Sequence, residues 1–295
     1  MDFTLYWFMF PVAMCVATLA MLSGIGGAAL FTPIFVLIFP LLGPEYALQG
    51  TVVAIGTALL TETFGFTSGF IGYYRKRLID FAIVFKYLRI AAPVAIAGAF
   101  LAHLVPGGLL ILGYAVLVLI LAIIHIVVQH EEDVASATPP DAESDANLRR
   151  KVDSAGREYV YKIPEPGISG GLYTGIGAFL TGMVSVGIGE VIVPQLTKRG
   201  VPLPIAVAAS VKIVIVTAAC ASFTLIGQLI SEGGFDAIPW NLVAYTIPGV
   251  LIGGQIGPRL QTYVSHRVME YSISTLFIVL AAAMSLVGLH KLGVA

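Results

Sequence analysis

Apolar residues run along this chain in long blocks punctuated by short polar turns. A membrane span needs about 20 mostly apolar residues, and the blocks leave room for eight or more. In the first half they predict helices over Leu5–Leu22, Leu48–Tyr73, Phe81–Val105 and Leu109–Val128, with a shorter segment, Ala28–Leu42, after a glycine-rich interruption. The second half repeats the layout with Ile168–Val184, a short Glu190–Leu196, then Pro202–Ile230, Trp240–Leu260 and Val268–Leu289. The segments that follow the glycines are too short to span comfortably and read as half-helices of re-entrant or broken hairpins. Each half is therefore four long spans plus one short element.

The two interruptions are related. Gly24-Ile25-Gly26-Gly27 leading to Pro33 reappears 161 residues later as Ser185-Val186-Gly187-Ile188-Gly189 leading to Pro194. Irregular backbone survives inside a membrane only where protein or a watery cavity satisfies its polar groups. Paired interruptions at matching places in two halves point to a transporter's substrate site; close packing through small residues is the competing explanation. Other landmarks recur in the same order: Gly72 and Asp80 answer to Gly227 and Asp236, and Pro93 and Gly98 to Pro248 and Gly253. The prolines are expected to kink their helices.

Composition fixes the class. The chain is 58% hydrophobic with only 16 basic and 17 acidic residues and a mean hydropathy of +0.93. Those charges concentrate between His130 and Pro166, which divides the chain into a first membrane repeat (1–129), a linker (130–166) and a second membrane repeat (167–295). Asp2 stands where a signal peptide would be basic, so no cleaved leader is expected. Cys15 and Cys220 lie in apolar blocks and read as buried thiols. A net charge of −1 gives no footprint for nucleic acid. The five histidines, His103, His125, His130, His266 and His290, show no metal-ligand spacing, and no nucleophile–base pair suggests an enzyme or calls for a cofactor.

Basic residues set the orientation. If each broken segment leaves and returns on one side, then Arg75-Lys76-Arg77, Arg149-Arg150-Lys151, Lys198-Arg199, Arg259 and Arg267 share a face. Only Lys291 lies opposite, with Asp2, Glu45, Glu232 and Asp236. That makes the linker cytoplasmic and both termini extracytoplasmic, and it runs the two halves in opposite directions. The linker reads mainly as a flexible tether, although the alternation in Lys151–Ile163 also allows a small hairpin.

Three ionisable residues lie deep in apolar segments: Glu62, Glu190 and Lys212. Such groups are costly in a membrane and tend to face a cavity or one another. Lys212 is a natural counter-charge for an anionic substrate, or else one member of an ion pair with either glutamate. Free N–H groups at the two half-helix starts, Ala28–Leu30 and Gly189–Val191, would also attract an anion. Glu190 would compete for those donors, which suits it better to proton coupling or gating; Glu62 is the matching candidate in the first half. Thr57, Thr61, Ser185, Gln195 and Ser210 are further hydrogen-bond donors, against the commoner habit of such groups of bonding their own helix.

The residues resemble a known family at this point. Gly24-Ile-Gly-Gly with Pro33, followed by Ala54-Ile55-Gly56-Thr57, is similar to the pattern of TauE/SafE-type sulfite exporters. Gly187-Ile-Gly with Pro194, Ala206 to Ser210, and Pro248-Gly249 through Gly253-Gly254 to Gly257-Pro258-Arg259 extend the likeness to the second half. Ala58 departs from the family's usual serine, and Ile188-Gly189-Glu190 from a run of glycines. The resemblance implies an eight-span duplicated membrane protein that exports sulfite, sulfoacetate or a related anion by secondary transport.

The combined expectation is an all-α membrane protein of two inverted repeats in a bacterial-type inner membrane, surrounded by lipid, with homodimerisation left open. Its anion would bind at Gly24, Gly26, Gly27, Thr57, Ser185, Gly187, Gly189, Gln195, Ser210 and Lys212, with Glu62 and Glu190 for proton coupling and Pro33, Pro93, Pro194 and Pro248 as kinks. The alternative is a proton- or cation-coupled carrier of another solute with the two glutamates as its main ligands.

Overall fold

The computed structural model describes residues 3–23, 26–132, 148–260 and 266–293. The first half runs α1 (Met9–Ser23), α2 (Ala28–Pro33), a π-helical stretch (Ile34–Ile38), α3 (Phe39–Leu42), α4 (Thr51–Arg75), α5 (Phe81–Ala102) and α6 (Gly107–Glu132). Two strands, β1 (Leu148–Val152) and β2 (Glu158–Lys162), follow. The second half is α7 (Gly167–Val184), α8 (Ile188–Thr197), α9 (Leu203–Gly233), α10 (Trp240–Leu260) and α11 (His266–Lys291). Each predicted apolar block is a helix, with ends shifted by four residues at most.

Four of these helices are long and apolar enough, over the stretches Phe81–Ala102, Gly107–Ile124, Leu203–Gly233 and Ser272–Lys291, to cross a membrane. α4 and α10, of 25 and 21 residues, have spanning length but carry more glycine and threonine. The chain is a multi-pass helical membrane protein. Its helices pair as α1 with α10, α5 with α7, α4 with α9, α4 with α10, α5 with α9 and α6 with α11. Small residues make the closest approaches. A Cβ on Gly98 would strike the carbonyl oxygen of Phe179, and one on Gly182 that of Ala95, so α5 and α7 meet backbone to backbone. Gly249 and Gly253 bring α10 onto Phe10 and Met14 of α1 in the same way.

Both glycine breaks are tips of hairpins whose outer ends lie together. Near the start of the chain, Tyr6 stacks on Phe39 at 5.2 Å and donates its hydroxyl to the Tyr46 carbonyl at 3.0 Å. That ties the start of α1 to the end of α3. In the second half, Gln195 at the end of α8 donates to the Gly170 carbonyl at the start of α7, at 2.9 Å. Arg199 adds donations to the carbonyls of Glu165 and, at 2.8 Å, Pro166. Pro33, Pro93, Pro194 and Pro248 all sit inside helices. Pro33 has no N–H for the carbonyl of Ala29, four residues back, and the Tyr114 hydroxyl of α6 donates to that oxygen instead. The helix leaves the α pattern immediately after this proline.

Two expectations need correction. The linker is not a tether throughout, because Leu148–Val152 and Glu158–Lys162 form an antiparallel hairpin; the acidic stretch 133–147 lies outside the described residues. The hairpin is docked, not loose. Tyr161 is 2% exposed and donates to the Asp80 carboxylate at 2.6 Å, Lys151 donates to the Ile79 carbonyl, and the Ser154 N–H reaches the Lys76 carbonyl at 3.1 Å. Burial and then the Asp80 hydrogen bond push the Tyr161 phenol up, so it stays a donor. Asp80 also caps α5 by accepting from the Ala82 N–H at 2.9 Å. The hairpin's alternating apolar residues thus find a partner surface that the linker sequence does not contain.

Cys15 is exposed and Cys220 half-buried, where both were expected to be buried. A helix facing lipid is as apolar on its outer side as on its inner side, so an apolar block does not say which residues are covered by protein.

Candidate functional site

The two breaks meet in the interior. α7 ends at Ser185 in a left-handed conformation (φ 67°), and Gly187 follows at φ 142°. No L side chain adopts the latter readily, and a Cβ there would lie 2.7 Å from the Gly177 carbonyl oxygen. This tight reversal turns the start of α8 toward the start of α2. Thr32 of α2 and Ser185 then share a hydrogen bond of 2.6 Å across the two halves. Thr181 accepts from the Ile188 N–H at 2.8 Å, so one of the orphan donors of α8 is satisfied by a side chain of α7.

The other donors hold carboxylates. Glu190 accepts from the Gly26 N–H through Oε1 at 3.2 Å and from the Gly187 N–H through Oε2 at 3.0 Å, clamping the first break to the second. Glu62, from the middle of α4, accepts from the Ala28 N–H at 3.2 Å. The side chains are 2% (Glu62) and 5% (Glu190) exposed as residues. A Cβ on Gly26 would fall 2.9 Å from Glu62 Oε1 and 3.6 Å from Glu190 Oε1, so both carboxyl groups crowd one glycine. The positive ends of two helices are thereby covered by acidic side chains.

A small cavity of about 10 Å³, room for roughly one water, lies between them and is lined by Gly26, Glu62, Ser185, Gly187, Gly189 and Glu190. These six were candidates from sequence, whereas Thr181, Ile188 and Val214, which also line it, were not. A further anion brought to about 4 Å from either carboxylate, if that group is ionised, would be repelled by about 4 kcal/mol at an effective dielectric constant of 20. A larger cavity of about 700 Å³ opens at the helix ends around Gly50, His103 and Glu232, where His103 Nε2 meets Glu232 Oε2 at 2.6 Å. It contains no residue of either break, and its size alone does not make it the site.

Other candidates sit elsewhere. Gln195 is committed to Gly170 and Thr174 at the outer end of the second hairpin. The Lys212 ammonium lies over the Phe70 ring, 4.7 Å from its centroid, and not in an ion pair with Glu62. Thr57 and Ser210 are buried in α4 and α9 but do not line the cavity; the Ser210 hydroxyl has no hydrogen-bond partner in the described structure. Gly24 falls outside the described residues, whereas Gly27 begins α2 by accepting from the N–H groups of Leu30 and Phe31. Three residues escaped the sequence reading: Thr32, Thr181 and Tyr114. Tyr114 had a findable signal, since a proline at 33 orphans a carbonyl that some donor must reach. Among the described residues no three His, Cys, Asp or Glu side chains gather as metal ligands.

Helices broken at glycine, with their starts converging on buried carboxyl groups inside a multi-pass bundle, are the arrangement that transporter sites in membranes use. The family model for the sulfite exporter TauE/SafE matches residues 9–284, nearly the whole chain. The chain belongs to that family. Searches of curated proteins and of solved structures gave no match.

Proposed function

We propose that the protein is a secondary transporter that exports a small sulfur-containing anion, such as sulfite or sulfoacetate, across a bacterial-type cytoplasmic membrane. The site is the meeting point of the two breaks, with Glu62 and Glu190 as its proton-carrying groups. One observation carries this reading: the backbone donors that open α2 and α8 already hold carboxyl oxygens, those of the protein's own glutamates, around a common cavity. Lys212 does not line the cavity and holds its ammonium over Phe70, so in this reading it acts as a longer-range electrostatic attractor for the anion.

The two halves are inverted repeats in this reading. The helix pairings support it. Exchanging α1 with α7, α4 with α9, α5 with α10 and α6 with α11 keeps the set of pairings: α1–α10 becomes α7–α5, α4–α10 becomes α9–α5, and α4–α9 and α6–α11 map onto themselves. The basic residues around the hairpin support a cytoplasmic position for it, with both termini outside. In a Cys15→Ser, Cys220→Ser background, Ser154→Cys should react with a membrane-impermeant thiol reagent in inverted vesicles but not in intact cells. The reverse pattern would overturn the orientation.

Purified protein in proteoliposomes should carry sulfite faster than protein-free vesicles, and Lys212→Met should slow that flux at least severalfold while costing no more stability than the ~0.5–2 kcal/mol of a cation–π contact. Flux of sulfite indistinguishable from empty vesicles, alongside flux of a cation or a neutral solute, would favour the alternative carrier with the glutamates as direct ligands. The same buried carboxylate pair is what that reading would use.

A further inference from the structure

We propose that Glu62 and Glu190 are place-holders for the transported anion: they occupy the backbone donors of both breaks while the site is empty, and give them up only on taking protons, so that anion and protons cross the membrane together in the same direction. This rests on the reading of the breaks as the anion site.

The first ground is shared donors. The N–H groups of Gly26 and Gly187 point at Glu190, and that of Ala28 at Glu62. The Ala29 and Val191 N–H groups are spent within the helices, on the Gly26 and Gly187 carbonyls. The second ground is space. A cavity of about 10 Å³ takes a water, whereas an oxyanion with a central sulfur and three oxygens needs the volume that the two carboxyl groups now fill. Binding therefore requires that they swing away from the donors.

The third ground is charge. Facing the carboxylates are Tyr114 of α6, whose hydroxyl is committed to Ala29, and the hydroxyls of Thr32 of α2 and Ser185, which are bonded to each other. Thr181 of α7 is committed to Gly177 and Ile188. Lys212 of α9 holds its ammonium over Phe70. Like charges this close to an incoming anion make a loaded site with both carboxylates ionised strongly unfavourable. Protonation resolves the conflict twice over. It removes the negative charge, and it turns each carboxyl group from a pure acceptor into an O–H donor that can bond the anion's oxygens. A dianion that arrives with two protons leaves the buried charge where it was in the empty site, so both forms can cross between the two membrane faces.

The test is proton uptake on binding. Purified protein in detergent, weakly buffered and carrying a pH-indicator dye, is mixed with sulfoacetate, because sulfite itself titrates near neutrality and would confuse the count. Between about one and two protons should be taken up per anion bound, and the apparent Kd should tighten about tenfold per pH unit of acidification for each proton. Glu190→Gln should lower the uptake and the slope by about one proton, since an amide cannot titrate. Binding with no proton uptake by the native protein overturns the inference while leaving the anion site intact. Undiminished uptake in a folded Glu190→Gln protein overturns it as well. If neither sulfoacetate nor sulfite binds from acid to neutral pH, the anion-site reading fails and this inference falls with it. Should the Gln variant not fold, the count on the native protein decides alone.

Discussion

Gly187→Val should abolish transport and lower the melting temperature in detergent by about 5–10 °C. Two effects act together. The backbone there holds φ 142°, and a side chain forced into so sparsely populated a region costs about 1–3 kcal/mol. The new Cβ would also sit 2.7 Å from the Gly177 carbonyl oxygen, which belongs to the backbone of α7 and cannot rotate aside; relieving such overpacking costs about 1–3 kcal/mol more. Against a total stability of about 5–15 kcal/mol this is a large share. Gly227→Val is the control, because a Cβ at that α9 position meets nothing within 4 Å. Gly26→Val lies between them: its Cβ meets a flexible carboxylate oxygen at 2.9 Å, so it should harm transport more than stability. Equal melting temperatures and fluxes for Gly187→Val and Gly227→Val would show that the second break tolerates a side chain, and the tight reversal would lose its role.

The same two glycines show what could be read from the chain. Helices end where apolar blocks end, since exposing backbone in a membrane is forbidden, and so Ala28–Leu42 and Trp240–Leu260 have the bounds that hydropathy assigns them. The breaks were visible because glycine spacing and proline position are local. Which side chains meet is not local. Glu62 and Glu190 stand 128 positions apart and come together only because α4 and α8 both pack on α9 while α2 packs on α4. Lys212 shares their depth in the sequence pattern yet turns toward Phe70, because a few tens of degrees of helix rotation decide its neighbour and an all-apolar helix gives no periodicity to fix that angle. Gln195 looked like a site residue for being polar near the break. One helix length was enough to carry it to the other end, where it closes the hairpin.

Glu190→Ala should be less stable than Glu190→Gln by about 1–3 kcal/mol, and both should couple about one proton fewer to each anion than the native protein does. The comparison is chosen because both substitutions remove the same negative charge, so any repulsion between Glu62 and Glu190 is relieved equally in each. What differs is hydrogen bonding. The native carboxylate bridges the N–H of Gly26 and the N–H of Gly187, one from each half of the chain. Glutamine keeps one carbonyl oxygen that can satisfy one of those donors, while alanine leaves both without it in a nearly dry interior, and each stranded donor carries its desolvation penalty. The difference should appear as a melting temperature about 2–6 °C lower for the alanine variant. Glu62→Ala and Glu62→Gln should differ by a similar amount, because the glutamine oxygen again keeps a backbone donor, the Ala28 N–H, that alanine strands. Equal stability of Glu190→Ala and Glu190→Gln would mean that the carboxylate is not what fastens the two breaks together, and that the Thr32–Ser185 hydrogen bond and helix packing suffice.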